Sequence, residues 1–205
     1  ALSNLTKTSV TATISDATGT SWKYRLAKMD GTVISSGISN TKVLNFTDLT
    51  QGTYYTIAVG SSCSAAFASE QLIFTDADWC GGVLFTDSGG ANANYGDSQS
   101  FSKTIYPVNA SDKVKLTFSQ FDVDAGDFMN VYDGPGIGSP RFSNGSQLSG
   151  TTIPGPLQAT NDTGAITVRF ISNSSSTKAG WKATVECLNL ATGENALVLF
   201  SGKRR

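Results

Sequence analysis

The chain contains no histidine. Ser-His-Asp and Cys-His catalysis within these 205 residues are thereby excluded, as are a histidine general base and histidine-ligated zinc. Charged residues are scarce, at 15%, and nearly balanced, with a net charge of −1. There is no basic surplus to neutralise phosphates, so no nucleic-acid partner is expected. The only basic cluster is Lys203-Arg204-Arg205, which reads as a frayed end or a processing boundary. No segment approaches the roughly 18 apolar residues of a membrane-spanning helix, so no transmembrane segment is expected. The start of the chain does not have the pattern of a signal peptide, and the expectation is a mature form or an excised fragment. Glutamate is rare too: Glu70, Glu186 and Glu194 complete the set. Without histidine, paired carboxylates are the main remaining route to acid–base catalysis. None of the three glutamates sits in a cleft motif, and the chain is not expected to be an enzyme.

What the chain does contain is alternation. Val10, Ala12 and Ile14 alternate with threonines; Trp22, Tyr24 and Leu26 alternate with Lys23 and Arg25. Tyr55/Ile57/Val59, Val114/Leu116/Phe118, Ile166/Val168/Phe170 and Trp181/Ala183/Val185 repeat the period of two. That is the signature of half-buried antiparallel strands. Turn chemistry separates the sets at Asp30-Gly31, Gln51-Gly52, Asp133-Gly134-Pro135-Gly136, Asn144-Gly145 and Pro154-Gly155-Pro156. No stretch holds a helical period for three turns. The expected fold is all-β, with two antiparallel β-sandwiches in tandem. Residues 1–76 would form the first and 77–190 the second, with 191–205 a C-terminal extension of unassigned role. Trp22 and Trp181 fall on core phases, Trp79 sits at the junction as an interdomain wedge, and Tyr54 and Tyr106 read as exposed aromatics.

The segment Leu49-Thr50-Gln51-Gly52-Thr53-Tyr54-Tyr55-Thr56-Ile57-Ala58-Val59 resembles the L-x-P-G-T-x-Y-x-V-x-V stretch of fibronectin type III domains, with Gln51 in place of proline. The resemblance implies a tyrosine corner in which the Tyr55 hydroxyl bonds back to the backbone near Leu49. From Cys80 to Cys187 the chain resembles a CUB domain, and especially the versions found in secreted proteins of Bacteroidota. Four pieces carry this in family order: Phe85 to Tyr95, Phe121-Asp122-Val123-Asp124, Asp127-Phe128-Met129-Asn130-Val131-Tyr132-Asp133-Gly134, and Val168 to Asn173 followed by Gly180-Trp181. The resemblance implies a jelly-roll sandwich.

There are three cysteines. Cys187 continues the core phase of Trp181, Ala183 and Val185, and Cys80 opens the same unit. A Cys80–Cys187 disulfide would clamp the first and last strands, stabilise by about 4–5 kcal/mol, and imply an oxidising compartment. It would leave Cys63 as a buried small apolar residue. A Cys63–Cys80 bond across the junction and the absence of any disulfide are the alternatives.

The stretch from Phe121 to Gly134 places acids between two alternating apolar segments. Many CUB domains bind one calcium at an end of the sandwich, and the resemblance carries that site over residue by residue. Tyr95 matches a tyrosine that orients an acid without itself ligating. Asp124 stands where the family usually has Glu, Asp127 matches the following Asp, and Asn173 stands where a late loop usually has Asp. Calcium takes six to eight oxygens, and these residues offer carboxylate and amide oxygens. The shorter Asp124 and the uncharged Asn173 both weaken such a site. The competing reading is a solvated acidic loop whose aspartates cap turns.

Low Lys and Glu with abundant Ser, Thr, Asn and Gly matches secreted β proteins. The functional expectation is a non-catalytic extracellular binding or adhesion module of a larger secreted or cell-surface protein. It would carry a weak calcium site and a protein or glycan ligand. Two alternatives stay open. One is an accessory region of a secreted hydrolase such as a metalloprotease. The other is a filament subunit self-assembling through its terminal strands, with the apolar run Ala196–Phe200 as a donated strand.

Overall fold

The computed structural model describes residues 1–189. The extension 191–205, and with it the run Ala196–Phe200, lies outside the described residues. The strands are β1 (Leu2–Ser3), β2 (Val10–Thr13), β3 (Trp22–Lys28), β4 (Val33–Ser39), β5 (Val43–Phe46), β6 (Tyr54–Ser61) and β7 (Ser69–Phe74), then β8 (Phe85–Thr86), β9 (Ser100–Ile105), β10 (Asp112–Asp122), β11 (Phe128–Asp133), β12 (Leu157–Gln158), β13 (Ile166–Ile171) and β14 (Gly180–Asn189). They form four sheets in the orders β1-β2-β5, β4-β3-β6-β7, β12-β10-β14-β8 and β11-β13-β9. Every strand pair is antiparallel. The all-β tandem architecture expected from the alternation is the one observed.

The N-terminal sheets enclose a core of Val10, Ala12, Leu26, Leu44, Phe46, Leu49, Tyr55, Ile57 and Ile73. All but Leu49, which lies between β5 and β6, are the inward phases of their strands. The Tyr55 hydroxyl accepts a hydrogen bond from the Thr50 backbone N–H at 2.9 Å, so the tyrosine corner forms as expected. Trp22 is buried, and its indole N–H donates to Asp16 Oδ2 at 3.0 Å.

The C-terminal sheets enclose a larger core around Phe85, Val114, Leu116, Val131, Val168, Phe170 and Trp181. In β10 the register shifts between Phe118 and Gln120, where one strand carries an extra residue. Because of that bulge Val114, Leu116 and Phe118 face inward on one parity, and Phe121 and Val123 face inward on the other. The bulge therefore keeps the strand on the core as it runs into the acidic loop. The disulfide joins Cys80 to Cys187, with Cα atoms 5.5 Å apart. Cys63 is exposed, not buried as its small apolar character had suggested. It lies past the end of β6, where the alternation that buries Ile57 has stopped.

Tyr54 is also corrected. It is 4% exposed, and its ring stacks on Phe74 at 3.9 Å between centroids. The two are directly paired in the ladder, as are their neighbours Tyr55 and Ile73. Tyr55 and Ile73 face the N-terminal core, so Tyr54 and Phe74 face out of that sandwich and join the C-terminal core instead. Trp79 is buried at the same junction, 5.6 Å from Phe74 and 5.7 Å from Phe85 between ring centroids. Tyr106 is exposed, as expected.

Candidate functional site

The loop Val123–Asp127 between β10 and β11 carries two acids, and two other loops converge on it. Asp127 is 1% exposed. Its Oδ2 accepts a 2.6 Å hydrogen bond from the Tyr95 hydroxyl, and its Oδ1 accepts one of 2.8 Å from the Asn173 backbone N–H. The same Tyr95 hydroxyl accepts a 2.9 Å bond from the Asp124 backbone N–H. One buried phenol thus pins both ends of the acidic loop. Burial, and then the bond to Asp127, push the Tyr95 hydroxyl far above its ordinary pKa, so it stays a neutral donor.

Asp124 is half-exposed, and its Oδ1 accepts the Gly126 backbone N–H at 3.1 Å. The Asn173 side chain lies against Gly126. A Cβ built there would stand 2.3 Å from Asn173 Nδ2 and 3.6 Å from Asp124 Oδ1. The absent side chain at 126 is what lets the two loops touch. Asn173 Oδ1 is turned away, accepting from the Ser175 N–H at 2.7 Å and the Ser175 hydroxyl at 3.1 Å.

The four residues singled out in the sequence, Tyr95, Asp124, Asp127 and Asn173, are therefore brought together. Their roles differ from one another. The Tyr95 hydroxyl bonds the Asp127 carboxylate and the Asp124 backbone N–H. Asp127 is enclosed and spends both oxygens on the chain. Asp124 and Asn173 cap local turns. Calcium takes carboxylate oxygens, and those of Asp124 and Asp127 stand on one loop, but the Asn173 atom facing that loop is Nδ2, a donor. Among the described residues, no three acids or cysteines gather at metal-holding spacing. A cation here would rest on Asp124, Asp127 and an Asn173 amide turned oxygen-inward, with backbone carbonyls completing the set.

Sequence reasoning missed the residues that build the loop carrying Tyr95. Asp87 is fully buried; its Oδ1 accepts the Gly89 N–H at 2.8 Å and its Oδ2 the Trp181 N–H at 2.9 Å. Burial raises its pKa to about 7 against those hydrogen bonds. Gly180, at φ +64°, makes room for it, since a Cβ there would fall 2.0 Å from Asp87 Oδ2. Ser88 donates to Gln99 Oε1 at 2.8 Å and accepts the Gly96 N–H at 3.0 Å. Ser172 donates to the Gly96 carbonyl at 2.8 Å and accepts the Gln99 N–H at 2.9 Å. Tyr95 N–H reaches the Lys178 carbonyl at 3.2 Å. No periodic pattern marks these loop residues, and only the Asp-Ser-Gly-Gly turn chemistry around Asp87 hinted at them. The Asp133 carboxylate at the end of β11 is likewise structural, accepting from the Thr160 N–H and hydroxyl and from Asn161.

The chain is similar to rat cubilin, 32% identical over 118 residues, and to human cubilin, 30% identical over 125 residues. Those stretches cover 50% and 56% of this chain but only 3% of each cubilin. Among solved structures it is similar to the calcium-bound second CUB domain of MASP-1. The two are 21% identical with a TM-score of 0.41, over 51% of this chain and 90% of that one. Domains of this family are in general non-catalytic interaction modules. The family model of the CUB domain matches residues 80–185, just over half of the 205 residues and nearly the whole span between the two bonded cysteines, so the chain belongs to the CUB domain family.

Proposed function

We propose that the chain is a non-catalytic binding module of a larger secreted or cell-surface protein, with a weak calcium site at Asp124, Asp127 and Asn173, oriented by Tyr95. Residues 1–76 are a fibronectin type III-like spacer and residues 77–190 the CUB-like recognition domain, of the kind carried by secreted Bacteroidota proteins. The observation that carries this reading is the Tyr95 hydroxyl, which holds Asp127 and the Asp124 backbone together beneath an Asn173 loop. The tyrosine corner supports the fibronectin-like assignment, and the disulfide supports an oxidising, extracellular setting. The ion would order the loops and present Asp124 to a basic group on a protein partner; a glycan is the other ligand class.

Calcium decides the matter. A site with a Kd of about 1 mM stabilises the folded chain by about 1.4 kcal/mol at 10 mM calcium, or roughly 3–5 °C in Tm for a chain of this size. Melting in calcium and in chelator should show that rise for the native chain and its loss in Asp124→Asn, which leaves the Tyr95 contact to the backbone of residue 124 intact. An unchanged Tm at 10 mM calcium sinks the ion site.

A further inference from the structure

The C-terminal sandwich has an open side. Its two sheets end in β8, only two residues long, and β9. Phe85 on β8 and Phe101 on β9 lie between the core ring of Trp181 and the N-terminal half. Their centroids are 6.0 and 6.3 Å from Trp181. The N-terminal half covers this opening with Phe74, 6.1 Å from Phe85, and Tyr54, 5.4 Å from Phe101. Lys103 on β9 completes the seal with a 2.8 Å ion pair to Asp76.

The four residues between β7 and Trp79 are bonded throughout. Thr75 is fully buried, donates its hydroxyl to the Thr50 carbonyl at 2.8 Å and accepts the Thr53 N–H at 2.9 Å. Asp76 takes the Gly52 N–H on its carbonyl at 3.0 Å and the Trp79 indole N–H on Oδ1 at 2.8 Å. Ala77 is 6% exposed, and the Asp78 N–H reaches Gln51 Oε1 at 2.9 Å. Gly52, at φ +60°, admits Val83 and Trp79 within 2.9 and 3.4 Å of where a Cβ would stand. A segment tied in this way does not act as a hinge.

The seal also reaches the Tyr95 loop. The Tyr54 hydroxyl donates to the Thr86 carbonyl at 3.3 Å, in the residue before Asp87. The chain from Thr86 to Tyr95 is then held by the Asp87, Ser88 and Gln99 bonds described above. Met29 from the N-terminal half packs against the same loop at Gly96.

We infer that the N-terminal sandwich is a brace for the Tyr95 loop. It closes the open side of the CUB sandwich through Tyr54 and Phe74, with Trp79 at the junction packed between Phe74 and Phe85, and so sets the order of residues 86–99 from outside the stretch that the CUB family model covers. The brace concerns the loop itself and holds whether or not the acids take an ion. Tyr54, Phe74 and Met29 are positioning residues; none touches Asp124 or Asp127.

The test is hydrogen exchange by mass spectrometry on the full chain in chelator, comparing the native protein with Phe74→Ala and Tyr54→Phe. Phe74→Ala should speed exchange across residues 86–99 by about tenfold or more, and Tyr54→Phe by about threefold, with peptides from residues 10–46 and 112–122 unchanged. If Phe74→Ala also loosens residues 10–46, loss of 86–99 together with them supports the brace. Continued native protection of 86–99 in Phe74→Ala overturns it, whether or not residues 10–46 stay protected. Calcium melting in the native chain reads the ion site separately, so failure of one reading leaves the other standing.

Discussion

The two halves of the molecule solve the same packing problem with different means. The N-terminal core has nine buried apolar residues and no covalent tie. The C-terminal core has twenty-two, of which Tyr54, Phe74, Ala77 and Trp79 come from before the first bonded cysteine, and it is closed by a disulfide. Small sandwiches bury a smaller fraction of their surface and are correspondingly marginal. The N-terminal sandwich offsets this by turning part of its outer face into shared core. The larger half in turn gains a cover for its open side.

The disulfide is where this contrast breaks most severely. Cys80→Ser with Cys187→Ser should cost about 4–5 kcal/mol on the chain-entropy estimate for a loop of this length. A urea titration followed by tryptophan fluorescence reads the loss. A cost under about 1 kcal/mol would mean that the shared aromatic core, not the crosslink, holds the C-terminal half closed.

Proton linkage distinguishes the halves next. Asp87 belongs to the C-terminal core, and burial raises its pKa from 3.8 to about 7. The folded state therefore holds that proton more tightly than the unfolded chain. Its contribution to stability is complete below about pH 4 and is lost as pH rises through 7. Asp16, in the N-terminal half, behaves in the opposite sense. The Trp22 indole hydrogen bond, with the Thr18 and Gly19 N–H groups, lowers it to about 2, so its contribution is present above pH 3.8 and lost as pH falls through 2. A carboxyl-carbon NMR titration should give midpoints near 7 for Asp87 and near 2 for Asp16. In Asp87→Asn, the fall in Tm between pH 5 and pH 8 should be smaller than in the native chain. An Asp87 midpoint near 4 would remove this difference between the halves.

The smallest effect tests the N-terminal half alone. Tyr55→Phe deletes the corner hydrogen bond to the Thr50 N–H while keeping the ring. It should cost about 1 kcal/mol, measured by the same urea titration. Residues 112–122 should keep their hydrogen-exchange protection.

Much of this was legible in the sequence, and what was not has a common cause. Alternation marks which residues share a face, so Val114/Leu116/Phe118 and Ile166/Val168/Phe170 fell on the core as read. The phase of Cys187 favours the pairing with Cys80 that the structure has, over a bond from Cys80 to Cys63. The convergence of Tyr95, Asp124, Asp127 and Asn173 followed from resemblance, since nothing local in the chain joins residue 95 to residue 173. Alternation is silent about what covers the other face of a strand. Tyr54 was therefore read as exposed, although its ring belongs to the neighbouring core. Asp87 was hidden for a related reason: a lone acid in a loop carries no period, and its burial depends on Gly180, nearly a hundred residues away. The orientation of Asn173 is set by the Ser175 N–H and hydroxyl two residues on, a local turn about which strand alternation is silent.

The clamp between Cys80 and Cys187 also governs how the molecule bears load. A pull applied beyond Cys187 passes through the sulfur bridge to Cys80 and on to the bonded segment at Asp76, bypassing the sheets between the two cysteines. The 107-residue separation, worth roughly 370 Å of extended chain, cannot be paid out while the bridge is intact. Under tension the CUB sandwich and its acidic loop would hang as a closed side-loop, and the strands that give way first would be those of the N-terminal half.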